Sequence, residues 1–394
     1  MRTLKLGVAG LGRAFTVMLP TLLRDARVEL VAAADPRAEA RAQFAGDFGA
    51  KAYASLEELC RDPAVEAIYV ATPHQHHADH VRLAAAGRKH VLVEKPLALT
   101  LTEGRAMIDA ARTAGVQLVV GHSHSFDAPI ARAREIIASG AVGRVRMISA
   151  LNFTDFLYRP RRPEELRTAS GGGVLFSQGG HQIDIVRLLA GGRVKSVRAA
   201  TGSWDPARPT EGAYSALLTF EDGAYASVVY SGYARFDSDE FCGWIGEQGQ
   251  EKDPARHALA RTMLQRAASA AEETVLKNSR NYGGAEYAKQ TGAAPALHQH
   301  FGLVLVSCER ADLRPLPTGV MVYGDSGHRL DALPAPEVQR AEVIDELYEA
   351  IVSGRPPLHN GAWALATLEV CLAILRSARE QKEILLEHQV GLPG

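Results

Sequence analysis

Apolar residues in the N-terminal third of the chain come in short unbroken runs separated by helix-length segments. The runs are Leu4–Ala9, Val28–Ala34, Ala67–Ala71, His90–Val93 and Gln117–Val120, with helices expected between them at Ser55–Arg61 and Thr102–Ala114. Strands buried on both faces read as continuous apolar runs, so this alternation predicts a doubly wound parallel sheet. After His122 the period changes. Val145–Phe153 alternates, which predicts a half-buried strand with Val145, Met147, Leu151 and Phe153 on one side. Residues 214–230 divide into two alternating runs about Glu221-Asp222-Gly223, a hairpin signal. Gly319–Tyr323 with the turn Gly324-Asp325-Ser326-Gly327 predicts a further strand pair. Two helices are expected at the end: residues 337–354, with Val343, Leu347 and Ile351 on one face, and residues 361–382. The fold class is α/β: a Rossmann domain over residues 1–121, then an α+β domain over 122–394 with a large open mixed or antiparallel sheet. Residues 247–299 fit neither pattern. They are polar and alanine-rich, with a helical stretch near Ala258–Lys277, and read as an insertion that covers the site or mediates assembly, or as a surface excursion.

Composition narrows the function classes. A chain of 394 residues with 46% hydrophobic and 23% charged positions is ordinary globular material, able to bury two cores. A formal net charge of −1 gives no general attraction for nucleic acid or an anionic membrane. Cys60, Cys242, Cys308 and Cys371 form no CxxC pair, which argues against a disulfide framework or zinc ribbon and fits a reducing cytosol. The chain opens directly into a strand-like run with no signal peptide ahead of it, and no apolar stretch approaches the ~20 residues of a membrane span. A cytoplasmic protein acting on a small molecule is expected.

The cofactor signal is Gly7-Val8-Ala9-Gly10-Leu11-Gly12-Arg13-Ala14-Phe15, between the first strand and a helix. Gly10 permits a tight turn, and Gly12 lets the backbone approach a pyrophosphate. The helix N-terminus offers free N–H groups and the positive end of its dipole. Phe15 stands where the usual third glycine would be, but Asp35 ends the second strand at the spacing of the acid that accepts from ribose hydroxyls. That favours NAD. Arg13 and Arg37 are placed to face a 2′-phosphate, so NADP stays open, and Asp35 has the alternative role of a turn cap before Pro36.

Ala71-Thr72-Pro73 ends one apolar run and Val93-Glu94-Lys95-Pro96 the next, and ligands gather at the carboxyl ends of parallel strands. Further on, Gly171-Gly172-Gly173 leads to Gly179-Gly180-His181-Gln182-Ile183-Asp184, which opens a helix with Ile183, Val186, Leu189 and Ala190 on its apolar face. The GxG turn, Thr72-Pro73 with His77, Glu94-Lys95-Pro96, the glycine triplet and Gly179-x-His181-x-x-Asp184 together resemble the glucose–fructose oxidoreductase/inositol dehydrogenase family. The resemblance covers nearly the whole chain. It implies a homodimer or homotetramer with Lys95 and His181 as the catalytic pair, and with Thr72, His74, His77, Glu94 and Lys95 lining the nicotinamide side. It also marks a departure: the family usually carries an acid four residues before the histidine, where this chain has Ser177, which puts His181 as sole base in question. Ser125-Phe126 stands where Arg-Phe is common, preceded by His122 and His124. Each of these histidines alone is read first as a structural one, and His124 second as a pocket residue. Within the family, GVAGLGRAF at Gly7–Phe15, His300–Arg314 and Gly319–Asp325 resemble the cis-dihydrodiol dehydrogenases of aromatic-carboxylate breakdown. Such a substrate is a carboxylated cyclohexadiene diol, oxidised to a hydroxy-ketone that tautomerises to a catechol.

A carboxylate substrate needs cations. Arg161 and Arg162, in Arg159-Pro160-Arg161-Arg162-Pro163, are the candidates, against the alternative of a solvated basic loop. Ser177 and Asp184 complete the substrate candidates. Three other readings stand beside this one. An inositol or sugar dehydrogenase would use the same Lys, His and Asp. A nucleotide-sensing regulator would keep the fold without the chemistry. Zinc on His76 and His80, at i, i+4 spacing within His74–His80, lacks a cysteine or carboxylate cluster to complete it, so no metal is expected.

Overall fold

The computed structural model describes residues 2–256, 259–287 and 295–392. The chain gathers into two compact units. The first comprises Met1–His122 with Thr274–Ala293 and Val338–Leu365; the second comprises Ser123–Glu273, Ala294–Glu337 and Ala366–Gly394. Neither unit is a single stretch of chain, and the segment expected as an insertion is divided between them.

In the first unit, β1 (Leu4–Ala9), β2 (Val28–Ala34), β3 (Lys51–Tyr53), β4 (Ala67–Val70), β5 (His90–Val93) and β6 (Leu118–Val120) form one sheet in the order β3-β2-β1-β4-β5-β6. Every pairing in it is parallel. Helices α1 (Arg13–Arg24), α2 (Ala38–Phe48), α3 (Leu56–Arg61), α4 (His77–Ala86) and α5 (Leu101–Ala114) connect the strands. Their ends are set by local chemistry. Ser55 with Glu58, and Thr100 with Glu103, form capping boxes at the starts of α3 and α5, and Gly49 and Gly115 end α2 and α5 in the left-handed conformation. The strand order reverses between β1 and β4, and that switch point positions the cofactor turn. The returning segments fill gaps. Tyr282, wholly buried, packs edge-on against Phe15 at 5.2 Å, and its hydroxyl donates to Asp47 at 2.6 Å. His359 accepts at its carbonyl from Val120 N–H at 2.8 Å, closing the β6 edge.

The second unit holds α6 (Ala128–Ala138), α7 (Gly180–Ala190) and a nine-stranded sheet. Its strands are β7 (Val145–Phe153), β8 (Val194–Gly202), β9 (Ala213–Phe220), β10 (Tyr225–Ser231), β11 (Leu303–Cys308), β12 (Asp312–Leu316), β13 (Gly319–Gly324), β14 (Gly327–Ala332) and β15 (Ile384–Leu385), in the order β14-β13-β12-β11-β7-β10-β9-β8-β15. All pairings are antiparallel except β7 with β10. The expected alternation of β7 is present: Ile148, Ala150 and Asn152 are buried on one side, while on the other Val145 is buried and Met147, Leu151 and Phe153 are half-buried.

The helical stretch expected near Ala258–Lys277 is two short helices, α8 (Leu259–Leu264) and α9 (Ala270–Asn278); Ala258 itself lies outside the described residues. The helix expected over 337–354 is α10 (Ala341–Tyr348) followed by a wider i→i+5 turn over Glu349–Ser353, with Ile351 half-buried. The last helix is α11 (Gly361–Glu380). Its 20 residues are long and apolar enough to cross a membrane by length and composition, contrary to the expectation that no such stretch exists. Most of it is buried inside the protein, as in a core helix.

Candidate active site

The candidate cofactor site of the first unit is the switch point of the parallel sheet. Gly10, at φ +91°, follows β1 directly, and a Cβ there would stand 2.9 Å from the Ala71 carbonyl oxygen and from Thr72 Cγ2. Only glycine brings the two strand ends this close. Gly12, by contrast, opens onto empty space, and α1 begins beside it with no side-chain cap and no acid in its first turn. Uncapped N–H groups, a dipole end and room for close approach fit a dinucleotide pyrophosphate. Arg13 is exposed at this turn and Ala14 half-buried. The Phe15 ring is wholly buried against Phe44 and Tyr282 and fills the core beneath the turn.

Asp35, 5% exposed at the end of β2, is already engaged. Its oxygens accept from Leu11 N–H at 2.7 Å, Arg37 N–H at 2.9 Å and the Arg37 guanidinium at 3.0 and 3.1 Å. The same guanidinium donates to the Leu11 and Tyr282 carbonyls at 2.9 and 3.1 Å. Asp35 therefore braces the glycine turn, and Arg37 must yield lone pairs for a ribose hydroxyl to be accepted.

At the ends of β4 and β5, His77 is wholly buried. Its Nδ1 is 2.8 Å from the Pro96 carbonyl and its Nε2 3.0 Å from that of Thr72. It lies between the two strand ends, and in its neutral form donates to one of these carbonyls. Burial pushes its imidazole down to about 4, although both carbonyls pull upward and the neighbouring His76 and His80 push further down. Thr72 Oγ1 meets His80 Nδ1 at 2.9 Å, and the His74 ring lies edge-on to His77 at 5.7 Å. Tyr69 donates to Glu94 at 2.5 Å, and burial raises the Glu94 carboxyl above its ordinary value against that bond and against Lys95 and Arg340. Lys95, beside it, is half-buried and precedes a cis bond to Pro96. The His76 and His80 rings stack at 5.5 Å, and among the described residues no group of three or more His, Cys, Asp or Glu side chains is placed to hold a metal ion.

In the other unit a separate cluster gathers around His181, which is 7% exposed at the start of α7. The preceding residues Leu175–Gly179, including the half-buried Ser177, form a wide i→i+5 turn, in which four residues fall short of one revolution. The buried His124 ring lies edge-on to His181 at 4.8 Å, and its Nδ1 is 2.7 Å from the Asp127 carboxylate. Phe301 closes the group, 5.0 Å from His124 and 5.1 Å from His181, and stacks on Tyr230 at 6.1 Å. Asp127, Phe301 and Tyr230 escaped sequence reasoning. Only Asp127 had a local signal, three residues beyond His124.

Asp184, a substrate candidate, is instead a structural acceptor. It is 4% exposed, with Ser125 donating to one oxygen at 2.5 Å and Thr367 to the other at 2.8 Å. The glycine triplet makes room for an acid: Gly173, at φ +82°, sits where a Cβ would overlap the Glu211 carboxylate, whose pKa burial raises. Arg162 is also a correction. Its guanidinium pairs with Glu164 at 3.2 Å and Glu165 at 3.3 Å within its own turn. Among the described residues Arg161 forms no ion pair; it lies 3.6 Å above the Phe156 ring and donates to the Phe156 carbonyl at 2.9 Å.

Residues 4–122 match an oxidoreductase family with an NAD-binding Rossmann fold, and residues 130–250 match the GFO/IDH/MocA C-terminal domain. The chain is 48% identical over 379 residues to 1-carboxy-3-chloro-3,4-dihydroxycyclohexa-1,5-diene dehydrogenase of Comamonas testosteroni, covering 96% of each. Its fold follows the crystal structure of a protein of Bordetella bronchiseptica assigned as a dehydrogenase, with a TM-score of 0.91 and 43% identity over 98% of this chain and 100% of that one. Levoglucosan dehydrogenase in complex with NADH and levoglucosan shares the fold at a TM-score of 0.74 and 19% identity, over 98% and 99% of the two chains.

Proposed function

Since the chain belongs to the GFO/IDH/MocA family of NAD-binding oxidoreductases, we propose that it oxidises a carboxylated cyclohexadiene cis-diol to the corresponding catechol. The observation that carries this reading is the 48% identity, over 96% of both chains, to a dehydrogenase whose substrate is such a diol. It is an NAD-dependent dehydrogenase, and Gly10, Gly12, the first turn of α1 and the Asp35–Arg37 pair are the residues that would hold the dinucleotide. Held there, the dinucleotide would supply the hydride acceptor.

The chain's own residues handle the hydroxyl. Lys95 donates a hydrogen bond to it and stabilises the alkoxide charge that develops as the proton departs. His181 accepts that proton. Positioned help of this kind contributes roughly 10²–10⁴-fold. Two electrons and one proton leave as hydride, a second proton passes to His181, and the resulting hydroxy-dienone enolises to the aromatic catechol, which draws the reaction forward. The packed rings of Phe301, Tyr230 and His124 keep bulk water from His181. The reading includes a cytoplasmic enzyme that works as a homodimer or homotetramer, in keeping with its four free cysteines.

The test is the appearance of reduced nicotinamide when purified protein and NAD meet two substrate sets. One set holds cis-diols of aromatic carboxylates, the other inositols, glucose and related polyols. Turnover of the carboxylated diols supports the proposal. Turnover of polyols alone moves the protein to the sugar-oxidising branch, and NAD binding without turnover of either set makes it a nucleotide sensor.

A further inference from the structure

The loop after β7 carries two arginines that converge on one phenyl ring. The Arg161 guanidinium carbon lies 3.6 Å from the centre of the Phe156 ring and that of Arg159 5.7 Å from it. Two like charges around one ring repel, and the loop holds them there nonetheless. Their compensation is unequal. Arg159 reaches Asp155 at 3.5 Å and feels Glu247. Among the described residues Arg161 makes one side-chain hydrogen bond, to the Phe156 carbonyl, and its Nε is shut off from solvent with no partner. The nearby acids are committed elsewhere: Glu273 accepts from Arg208 and from Arg161 N–H, and Glu165 pairs with Arg162. Burial pulls the Arg161 guanidinium down to about 10, with Arg159 and Arg208 acting the same way and Glu165 and Tyr230 opposing. A cation withdrawn from water without a carboxylate is costly unless an anion completes it.

We infer that Arg161, with Arg159, forms a carboxylate-binding subsite that receives the ring carboxylate of the substrate. The fork of a guanidinium matches a planar carboxylate, and the phenyl ring beneath fixes its plane. Arg159 keeps 43% of its side chain open, which leaves a face for a ligand to reach. The subsite also adjoins the chemistry. Both arginines act electrostatically on Tyr230, whose ring stacks on Phe301, and Phe301 touches His181. The identity of the anion rests on the dihydrodiol reading; the anion site itself does not.

The experiment compares wild type, Arg161→Gln, Arg161→Lys and Arg159→Gln, with Arg162→Gln as the control. Each variant, saturated with NAD, is assayed on a carboxylated cyclohexadiene cis-diol and on the same diol without the carboxylate, and benzoate binding is measured by calorimetry. Losing a hydrogen bond between charged groups should lower the carboxylated-to-uncarboxylated ratio of kcat/KM by roughly 10- to 100-fold in Arg161→Gln. Benzoate affinity should weaken by a similar factor. Arg159→Gln should move both in the same direction, Arg161→Lys should fall between wild type and Arg161→Gln, and Arg162→Gln should match wild type. A ratio and a benzoate affinity within about twofold of wild type in Arg161→Gln and Arg159→Gln would overturn the subsite. If Arg161→Gln does not fold, Arg161→Lys and Arg159→Gln decide. If wild type oxidises neither diol, the dihydrodiol reading has failed and benzoate binding alone judges the subsite.

Discussion

His77 makes a specific acid-stability prediction. The ring is wholly buried, with carbonyl oxygens of Pro96 and Thr72 at 2.8 and 3.0 Å from its two nitrogens. Burial lowers its pKa from 6.5 to about 4, with His80 and His76 adding to the fall. A folded-state pKa below the unfolded one means that the unfolded chain binds the proton first as pH drops. Stability from the neutral ring is then fully present above about 6.5 and lost between there and about 4, a change on the order of 3 kcal/mol. His77→Gln removes the titration while keeping a polar side chain. Urea unfolding of both proteins at pH values across that window gives the difference directly, since every other titrating group is shared. At neutral pH the variant should be less stable by about 1–3 kcal/mol, the cost of the disturbed hydrogen bonds, and the gap should close toward acid. A gap that widens toward acid would refute the argument. It would mean that the two carbonyls hold an imidazolium, raising the pKa rather than lowering it.

Three further outcomes follow from the site. Lys95→Ala and His181→Ala should each lower kcat by roughly 10²–10⁴-fold with NADH binding, read by fluorescence, still measurable; near-wild-type turnover in both would remove them from the chemistry. Arg37→Ala removes the cation that offsets Asp35, so the kcat/KM preference for NAD over NADP should rise about tenfold, and an unchanged or reversed preference would show that Asp35 does not face the ribose. Gly10→Ala forces a Cβ into the Ala71 carbonyl at φ +91°, so NADH affinity should fall sharply and unfolding should become easier by about 2 kcal/mol or more, as urea titration would show; unaltered binding would mean that the turn relaxes freely.

What the sequence disclosed follows from the range of the interactions involved. The parallel strands were legible because burial on both faces writes itself as unbroken apolar runs, as in Ala67–Val70, where every residue is buried. β3 was not, being three residues long with two half-buried and one exposed. The Gly10 turn was legible because its constraint is local. The fate of Phe15 was not, because the aromatic ring that buries it, Tyr282, arrives from a segment far along the chain; Arg37, which also meets Tyr282, bridges 245 positions to do so. Asp184 and Thr367 are 183 positions apart, and Arg161 and Glu273 are 112 apart. Arg161 and Arg162 were indistinguishable as neighbours in one basic string. They separate only because a tight turn returns two glutamates to Arg162 and lays Arg161 on Phe156.

The departure at Ser177 stands beside a different local construction in the second unit. The family pattern supplies a histidine with an acid one helical turn before it. Here the chain around Ser177 is a wider turn, and an acid that reaches this cluster through His124 is Asp127, at the start of α6. Asp127 pairs with His124, and His124 presents its ring to His181, so a proton arriving at His181 meets negative charge one ring removed rather than in contact. Coulomb attraction weakens with distance but survives better among the buried side chains of Phe301 and His124 than it would in water.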